Sequence, residues 1–273
     1  MQLLMSGGGF LRNWSAGGNL ATGRSYLAGC GTVSAGLSFG GYTGADSAVT
    51  EEYDGASWAS GGALIAARKY LGGAGTQTAG LAFGGDNGGT YRNSTYEYDG
   101  ANWAAGGALA TARGYIAGCG TQTAGLSFGG YTFGSVPSAV TEEYDGASWS
   151  SGGTLSTATA APAGAGTQTA GLIFGGLEAG AETAEYNGTS WSAGGSLITG
   201  RHSLGGAGTQ TEGLSFGGNV SGAVGNTEEY DGSSWVSGAS LNTARYALAG
   251  AGIQTAGLSF GGSSNSVITE EYA

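Results

Sequence analysis

The chain has 273 residues, of which 61 are glycine, and a formal net charge of −11 from 8 basic and 19 acidic side chains. This balance leaves no basic surface to neutralise phosphates, so we expect neither nucleic acid nor an anionic membrane as a partner. No stretch reaches the roughly 18 apolar residues of a membrane span, and the N-terminus lacks the basic and apolar regions of a signal peptide.

A six-residue motif, Gly-Leu-x-Phe-Gly-Gly, returns six times at intervals of 42 to 46 residues. Its copies begin at residues 36, 80, 125, 171, 213 and 257. Regular repeats of this length indicate an architecture in which each unit packs on its neighbours. The six units account for nearly the whole chain, so we predict one domain over residues 1–273, with residues 1–9 as a lead-in.

Each unit contains segments for four short strands, as the unit that follows Trp58 shows. Residues 71–76 are almost all Gly and Ala, and such a strand fits where neighbouring units crowd at the axis of a ring. Residues 80–83 and 95–98 alternate in side-chain character with a period of two, which indicates two further strands. The fourth strand begins at Trp103.

The first and last units are incomplete in complementary ways. The sixth unit reaches residue 273 without a tryptophan strand, whereas residues 10–14 form a tryptophan strand with no unit before it. We therefore predict that the N-terminal strand completes the C-terminal blade and that the two ends lie close together. The predicted fold class is all-β, a six-bladed β-propeller of four-stranded antiparallel blades.

The repeated order of residues resembles the kelch repeat: an arginine, an apolar strand with glycines, a Gly-Gly doublet, a Glu-Tyr strand and a tryptophan. The doublets begin at Gly40, Gly84, Gly129, Gly175, Gly217 and Gly261, the tyrosines are Tyr53, Tyr98, Tyr144, Tyr186, Tyr230 and Tyr272, and the tryptophans are Trp14, Trp58, Trp103, Trp149, Trp191 and Trp235. The resemblance implies a β-propeller. The glycine-rich style is similar to kelch-like proteins of tailed bacteriophages and environmental bacteria, although the Gly-Thr-Gln-Thr-Ala-Gly turn departs from the usual unit.

Two sets of charged residues recur at fixed positions. Arginine occupies one position in five units, and a glutamate directly precedes the repeat tyrosine in all six. The members are Arg24, Arg68, Arg113, Arg201, Arg245, Glu52, Glu97, Glu143, Glu185, Glu229 and Glu271. A ring of ligand-binding charges is one interpretation. We favour a structural role, as ion pairs or as bonds from arginine to backbone carbonyls within or between blades, because a binding site seldom needs the same residue in every unit.

The copies differ most in two sets of turns, from strand two to strand three and from strand four to the next unit. In a four-stranded meander these turns share one face, which we call the variable face. We predict its ligand-binding residues to be Tyr26, Tyr42, Lys69, Tyr70, Asp86, Tyr115, Tyr131, His202 and Tyr246. Variable loops on a rigid scaffold commonly carry binding sites, although drift in unconstrained loops would give the same pattern.

Side chains suited to catalysis are scarce. His202 is the one histidine, and its surroundings in sequence match neither a copper site nor a Ser–His–acid triad. No calcium or phosphate-binding loop occurs, so no catalytic residue, metal or cofactor is predicted. Cys30 and Cys119 share a repeat position that other copies fill with alanine, which favours buried core residues over a disulfide.

These observations favour a monomeric, non-catalytic recognition module that binds a protein or a carbohydrate through the variable face. A virion or cell-surface adhesin would fit this function, and the expected location is cytoplasmic or virion-associated. The alternatives are a glycan-acting enzyme with a pocket at the channel mouth and a purely structural scaffold. Two facing carboxylates about 5–9.5 Å apart would favour the enzyme.

Overall fold

Six four-stranded antiparallel sheets form a ring in the computed structural model, which describes residues 12–273. The predicted fold class, an all-β six-bladed propeller, is confirmed, and the described residues contain no helix. The predicted lead-in over residues 1–9 and the first two residues of the predicted strand 10–14 lie outside the described part of the chain.

In blades 1–5 the strands run from the axis outwards in chain order, and in blade 6 the outermost strand is the N-terminal one. Blades 1 and 2 contain β2 (Ala28–Thr32), β3 (Ala35–Phe39), β4 (Thr50–Tyr53), β5 (Trp58–Ser60), β6 (Lys69–Thr76), β7 (Ala79–Asn87), β8 (Thr90–Tyr91), β9 (Thr95–Tyr98) and β10 (Trp103–Gly106). Blades 3 and 4 contain β11 (Ala117–Thr121), β12 (Ala124–Phe128), β13 (Tyr131–Thr132), β14 (Val136–Pro137), β15 (Thr141–Tyr144), β16 (Trp149–Ser151), β17 (Ala163–Thr167), β18 (Ala170–Phe174), β19 (Thr183–Tyr186) and β20 (Trp191–Ala193). Blades 5 and 6 contain β21 (Gly205–Gly208), β22 (Gly213–Phe216), β23 (Thr227–Tyr230), β24 (Trp235–Gly238), β25 (Ala249–Ile253), β26 (Ala256–Phe260), β27 (Thr269–Tyr272) and β1 (Trp14–Ala16).

The innermost strands contact one another in turn around the axis, and β25 returns to β2. Their glycines make room for phenylalanines of the second strands. A Cβ added at Gly29 would lie 2.2 Å from the ring of Phe260, and one added at Gly73 would lie 2.8 Å from the ring of Phe39. The small residues of this strand are therefore required by crowding between neighbouring blades.

Between blades, an apolar layer is built from the repeat aromatics. Phe39 is fully buried, and the ring of Trp103 from the next blade meets it edge-on at 5.0 Å. The indole N–H of Trp103 donates to Thr50 of the preceding blade at 2.9 Å. The same contacts recur around the ring. Each blade therefore packs against two neighbours, one on each face, and is stabilised by both.

A glutamine clamp adds polar contacts on the face opposite the variable one. The side-chain amide of Gln77 donates to the carbonyls of Gly36 and Tyr53 in the preceding blade, at 3.1 and 2.7 Å. Gln122, Gln168, Gln210 and Gln254 make equivalent bonds. In blade 1 the position is occupied by Val33, which packs against an apolar cluster instead.

The ring closes as predicted, with β1 on the outer edge of blade 6. Trp14 pairs with Tyr272 in the antiparallel register of β1 and β27. The backbone N–H of Asn13 donates to Ala273 at 2.9 Å, and that of Ala273 donates back at 3.2 Å. The two ends of the described chain therefore lie side by side.

Two additions to the four-strand plan were not predicted, and both lie on the variable face. β8 pairs with the extended end of β7, and β13 and β14 form a separate hairpin in blade 3. Within residues 12–273 no helix has the length and apolar character to cross a membrane.

Candidate recognition face

The two sets of variable loops lie on one face of the ring, as predicted from the sequence. Backbone bridges join Ser25 to Tyr42 in blade 1 and Gly114 to Tyr131 in blade 3. In blade 5 the corresponding bridge joins His202 to Asn219. Residues that are distant in sequence therefore form one continuous surface around the mouth of the central channel.

Six residues at the channel mouth share a left-handed backbone conformation. They are Tyr26, Tyr70, Tyr115, Ala161, Ser203 and Ala247, with φ between 53° and 60°. This conformation is uncommon and costly for residues with a side chain. It is held here by bonds between blades: the N–H of Tyr70 donates to Tyr26 at 3.0 Å, and that of Tyr26 donates to Ala247 at 2.8 Å. We call these six residues the girdle.

The girdle tyrosines of blades 1–3 form an aromatic cluster. The rings of Tyr70 and Tyr115 are stacked with centroids 3.7 Å apart, and Tyr26 meets Tyr70 edge-on at 4.6 Å. Tyr131 extends the cluster, with its ring 5.7 Å from that of Tyr115. Burial is the main reason that the pKa of Tyr26 and of Tyr115 is raised above the ordinary tyrosine value of 10.0.

A charged triad borders this cluster. The ammonium of Lys69 lies 2.6 Å from Asp46 of blade 1 and 3.2 Å from Asp86 of its own blade. It also lies 5.2 Å from the ring centroid of Tyr42 and 5.4 Å from that of Tyr70, within range of a cation–π interaction. Burial opposes both shifts, but hydrogen bonds from the Gly88 N–H and from Lys69 lower the pKa of Asp46, and the two carboxylates raise the pKa of Lys69.

A cavity of about 430 Å³ opens beside the cluster, between blades 2 and 3. Its walls include the rings of Tyr70, Tyr91, Tyr115 and Phe133, together with Lys69 and Asp86. Phe133 stands at the lip, near the tip of the β13–β14 hairpin, and is 95% exposed. A volume of this size is within the range of small-molecule sites.

Seven of the nine predicted ligand-binding residues are linked by these contacts, and two are not. His202 lies in blade 5, with its ring Nδ1 3.1 Å from Ser203, and burial lowers its pKa. Its charged neighbour is Glu178, which accepts a hydrogen bond from Tyr131 at 2.9 Å. Tyr246 lies in blade 6, where its carbonyl accepts from the Ser263 N–H at 2.7 Å. Neither residue lines the cavity.

Sequence reasoning missed four residues of this face: Asp46, Tyr91, Phe133 and Glu178. They lie in the variable turns between strands two and three. Because these turns differ in length, their residues cannot be aligned from one copy to the next. A composition argument would have found the two aromatic ones. Once the repeat Trp, Tyr and Phe positions are removed, the remaining aromatics of residues 12–273 are nearly all on this face.

Four of the five repeat arginines form buried ion pairs, but their partners are not the predicted glutamates. Arg24 pairs with Glu51 at 2.9 Å, and Arg113 pairs with Glu142 at the same distance. Arg201 pairs with Glu228, and Arg245 with Glu270. Each partner lies one residue before the predicted one. Successive side chains of a strand point to opposite faces, so only the earlier glutamate faces the arginine.

The predicted glutamates have a different role. Glu52, Glu97, Glu143, Glu185, Glu229 and Glu271 each accept a hydrogen bond from the repeat tyrosine of the following blade. Tyr98, for example, donates to Glu52 at 2.5 Å. Burial and the bonded carboxylate together raise the pKa of Tyr98 to about 12. These residues connect blades, and Glu229 also pairs with Arg12 at 2.7 Å.

Two blades replace the arginine–glutamate pair. In blade 2, Arg68 donates to the Tyr96 hydroxyl at 2.7 Å and stands 4.5 Å from its ring centroid. Blade 4 has Thr159 in place of arginine and Ala184 in place of glutamate, with Ile173 where most blades have serine. Those three apolar or small residues border a cavity of only about 20 Å³. The ionic cluster and its apolar replacement are therefore both accommodated by the same backbone.

The two cysteines, which are the remaining candidates for reactive side chains, are largely inaccessible to solvent. Cys30 and Cys119 are buried and not disulfide-bonded, and burial raises the pKa of each thiol to about 12. Within residues 12–273, no group of three or more His, Cys, Asp or Glu side chains is arranged to hold a metal ion.

Comparison with known protein families and with curated proteins found no match to this chain. The fold, a six-bladed β-propeller, is compatible with a kelch-type repeat.

Proposed function

We propose that this chain is a kelch-type propeller that acts as a non-catalytic recognition module, binding a protein or a carbohydrate through the variable face of blades 1–3. A virion or cell-surface adhesin is the setting in which such a module would serve. The repeated order of arginine, Gly-Gly doublet, tyrosine and tryptophan supports the kelch assignment, and the six four-stranded blades are compatible with it.

The unequal distribution of aromatic residues carries the proposal. Apart from Tyr96, which lies buried beneath Arg68, the aromatics of residues 12–273 that are not repeat positions all belong to the variable face. They are Tyr26, Tyr42, Tyr70, Tyr91, Tyr115, Tyr131, Phe133 and Tyr246. Seven of these eight belong to blades 1–3. Aromatic side chains provide large contact areas at binding surfaces, and loop drift would not concentrate them in one half of a ring.

The distribution of positive charge supports the exclusion of nucleic acid. Five of the eight basic residues are the buried repeat arginines, and Lys69 and Arg12 are paired with carboxylates. Arg92 is the remaining one, and it contacts the Asn87 carbonyl at 3.3 Å. A surface of this kind offers little to a phosphate backbone.

A combined glycan and protein array, probed with the labelled chain, tests the proposal. We expect at least one class of immobilised ligand to retain the chain, and a Tyr26→Ala/Tyr70→Ala/Tyr115→Ala variant to lose that retention. Ser203→Ala, at the girdle position of blade 5, is the matched control and should bind normally. Thermal unfolding of each variant shows whether the ring is intact. Retention that survives the triple change would contradict the proposed face.

A further inference from the structure

We infer that the cavity beside Phe133 binds a neutral hexopyranose, as a single residue or a disaccharide. The inference rests on the proposed function and names the ligand for the same face. The cavity of about 430 Å³ lies in the lower part of the range typical of small-molecule sites, which is enough for one or two sugar rings.

The aromatic walls are the first observation. Tyr70 and Tyr115 are stacked on each other, so each has one ring face used within the protein. Phe133 has no such partner among the ring contacts of residues 12–273, and its ring is 95% exposed. Covering an exposed phenylalanine ring with an apolar surface is favourable, because both surfaces are then removed from water. The C–H face of a pyranose is a flat apolar surface that matches such a ring, while its rim remains polar.

The charges of the cavity are the second observation, because they disfavour ionic ligands of either sign. Lys69 already lies over the faces of Tyr42 and Tyr70, so a cationic ligand would meet the protein's own ammonium there. Asp46 and Asp86 in turn hold that ammonium at 2.6 and 3.2 Å, so an anionic ligand would find it neutralised. The triad has two carboxylates for one ammonium, so its net negative charge repels an anion, while its ammonium takes the place beside the tyrosine rings that a cation would occupy. A neutral ligand is therefore favoured.

The polar groups of the cavity are the third observation. Asp86 is buried and fixed by Lys69 and by the N–H of Gly89 at 3.1 Å, so its orientation is set before any ligand arrives. The carboxylate of Asp86 can accept from one hydroxyl while the ammonium of Lys69 donates to the next, which suits two neighbouring hydroxyls on a sugar ring. Thr90 and Ser135, also in the lining, add hydroxyls that both donate and accept.

Saturation-transfer NMR with maltose, cellobiose, lactose and N,N′-diacetylchitobiose as separate probes tests the inference on the full chain. We expect transfer to the ring C–H protons of at least one of them. Phe133→Ala should weaken that binding at least about tenfold, and Phe133→Tyr, which keeps the ring, should preserve it. Val220→Ala, an exposed apolar position on the variable face of blade 5, is the control and should leave it unchanged. Because Phe133 is exposed, these changes leave the core intact.

Absence of transfer from all four sugars overturns the inference, and so does transfer that Phe133→Ala leaves unchanged. Tetramethylammonium chloride and a proline-rich peptide are run as competing probes. If either binds and Phe133→Ala abolishes that binding while no sugar binds, the sugar is wrong but the recognition face remains. If no probe binds and the array also shows no retention, both proposals fail.

Discussion

Arg113 donates to Glu142 at 2.9 Å, and neither side chain of this ion pair is more than 2% exposed. The guanidinium also donates to the carbonyls of Gly129 and Val140 and to the hydroxyl of Ser127. A buried charge has lost its hydration, and this loss is compensated by its hydrogen-bonding partners in the protein. The pair is therefore expected to be costly to break and inexpensive to replace as a whole.

We predict that Arg113→Ala lowers the free energy of unfolding by about 3–5 kcal/mol, because it leaves Glu142 buried without its counter-ion. Chemical denaturation measures the change. The matched variant is Arg113→Thr/Ser127→Ile/Glu142→Ala, which copies Thr159, Ile173 and Ala184 of blade 4. It should unfold near the wild-type midpoint. A triple variant as unstable as the single one would show that blade 4 compensates elsewhere.

We predict that the propeller loses stability as pH rises above about 10. Tyr144 donates to Glu97, and burial together with this bond raises its pKa to about 12 from an ordinary value of 10.0. Between these values the unfolded chain has released the tyrosine proton and the folded chain has not. Stability from the bond is thus fully present below pH 10 and is lost as pH approaches 12. Tyr53, Tyr98 and Tyr230 have pKa values raised to about 12 in the same way and should add to the effect.

Thermal melts between pH 8 and 12 measure this dependence. Tyr144→Phe removes one titrating group, so its melting temperature should fall less steeply over the alkaline range than that of the wild type. At neutral pH the variant should be less stable by about 1 kcal/mol, the usual net value of one hydrogen bond. Parallel alkaline slopes for the two proteins would contradict the assignment.

Closure of the ring depends on β1, and Trp14 is its main contact. The indole is 5% exposed, meets Phe216 at 5.0 Å and donates to Thr227 at 2.9 Å. We predict that Trp14→Ala costs about 3–5 kcal/mol, as for other buried large aromatics, and lowers the melting temperature by several degrees or more. Ser15→Ala, an exposed position in the same strand, should have little effect. Equal melting temperatures for both variants would mean that β1 is not needed for closure.

The closing seam also lacks one glutamine clamp. Val33 stands where Gln77 and its equivalents bond the preceding blade, so blade 1 has no such link to blade 6. We predict that Val33→Gln stabilises the ring by about 1 kcal/mol through bonds to Gly257 and Tyr272. The reverse change in blade 3, Gln122→Val, should cost a similar amount. Denaturant midpoints would decide, and a destabilised Val33→Gln would mean that the apolar packing of Val33 outweighs the clamp.

The blade plan was predictable because its causes are local. A period of two identifies the strands, glycine marks where phenylalanine rings crowd the axis, and the orphan Trp14 strand indicates closure. The ion pairs were predicted with the wrong partner, since Thr-Glu-Glu-Tyr offers two neighbouring carboxylates. Thr159 and Ala184 could have resolved this, because blade 4 loses the arginine and the earlier glutamate together.

The proposed recognition face was predictable only in part. The girdle position, filled by Tyr70 in blade 2, has a fixed place in every repeat, so the shared surface of the three girdle tyrosines followed from topology. Tyr91 and Phe133 depend on the unequal loops of blades 2 and 3, whose shape comes from β8 and the β13–β14 hairpin. Those short pairings each occur in one blade and depend on contacts between loops. A pattern shared by all six repeats therefore cannot predict them.

The girdle has a consequence for the design of binding surfaces on this ring. Ala161, Ser203 and Ala247 have the same left-handed backbone as the three tyrosines opposite them, held by the same kind of bond between blades. The cost of that conformation has already been met in all six blades. Blades 4–6 thus have three positions with small side chains and a known backbone geometry. Larger side chains placed there could form a second, independent binding surface without altering the ring.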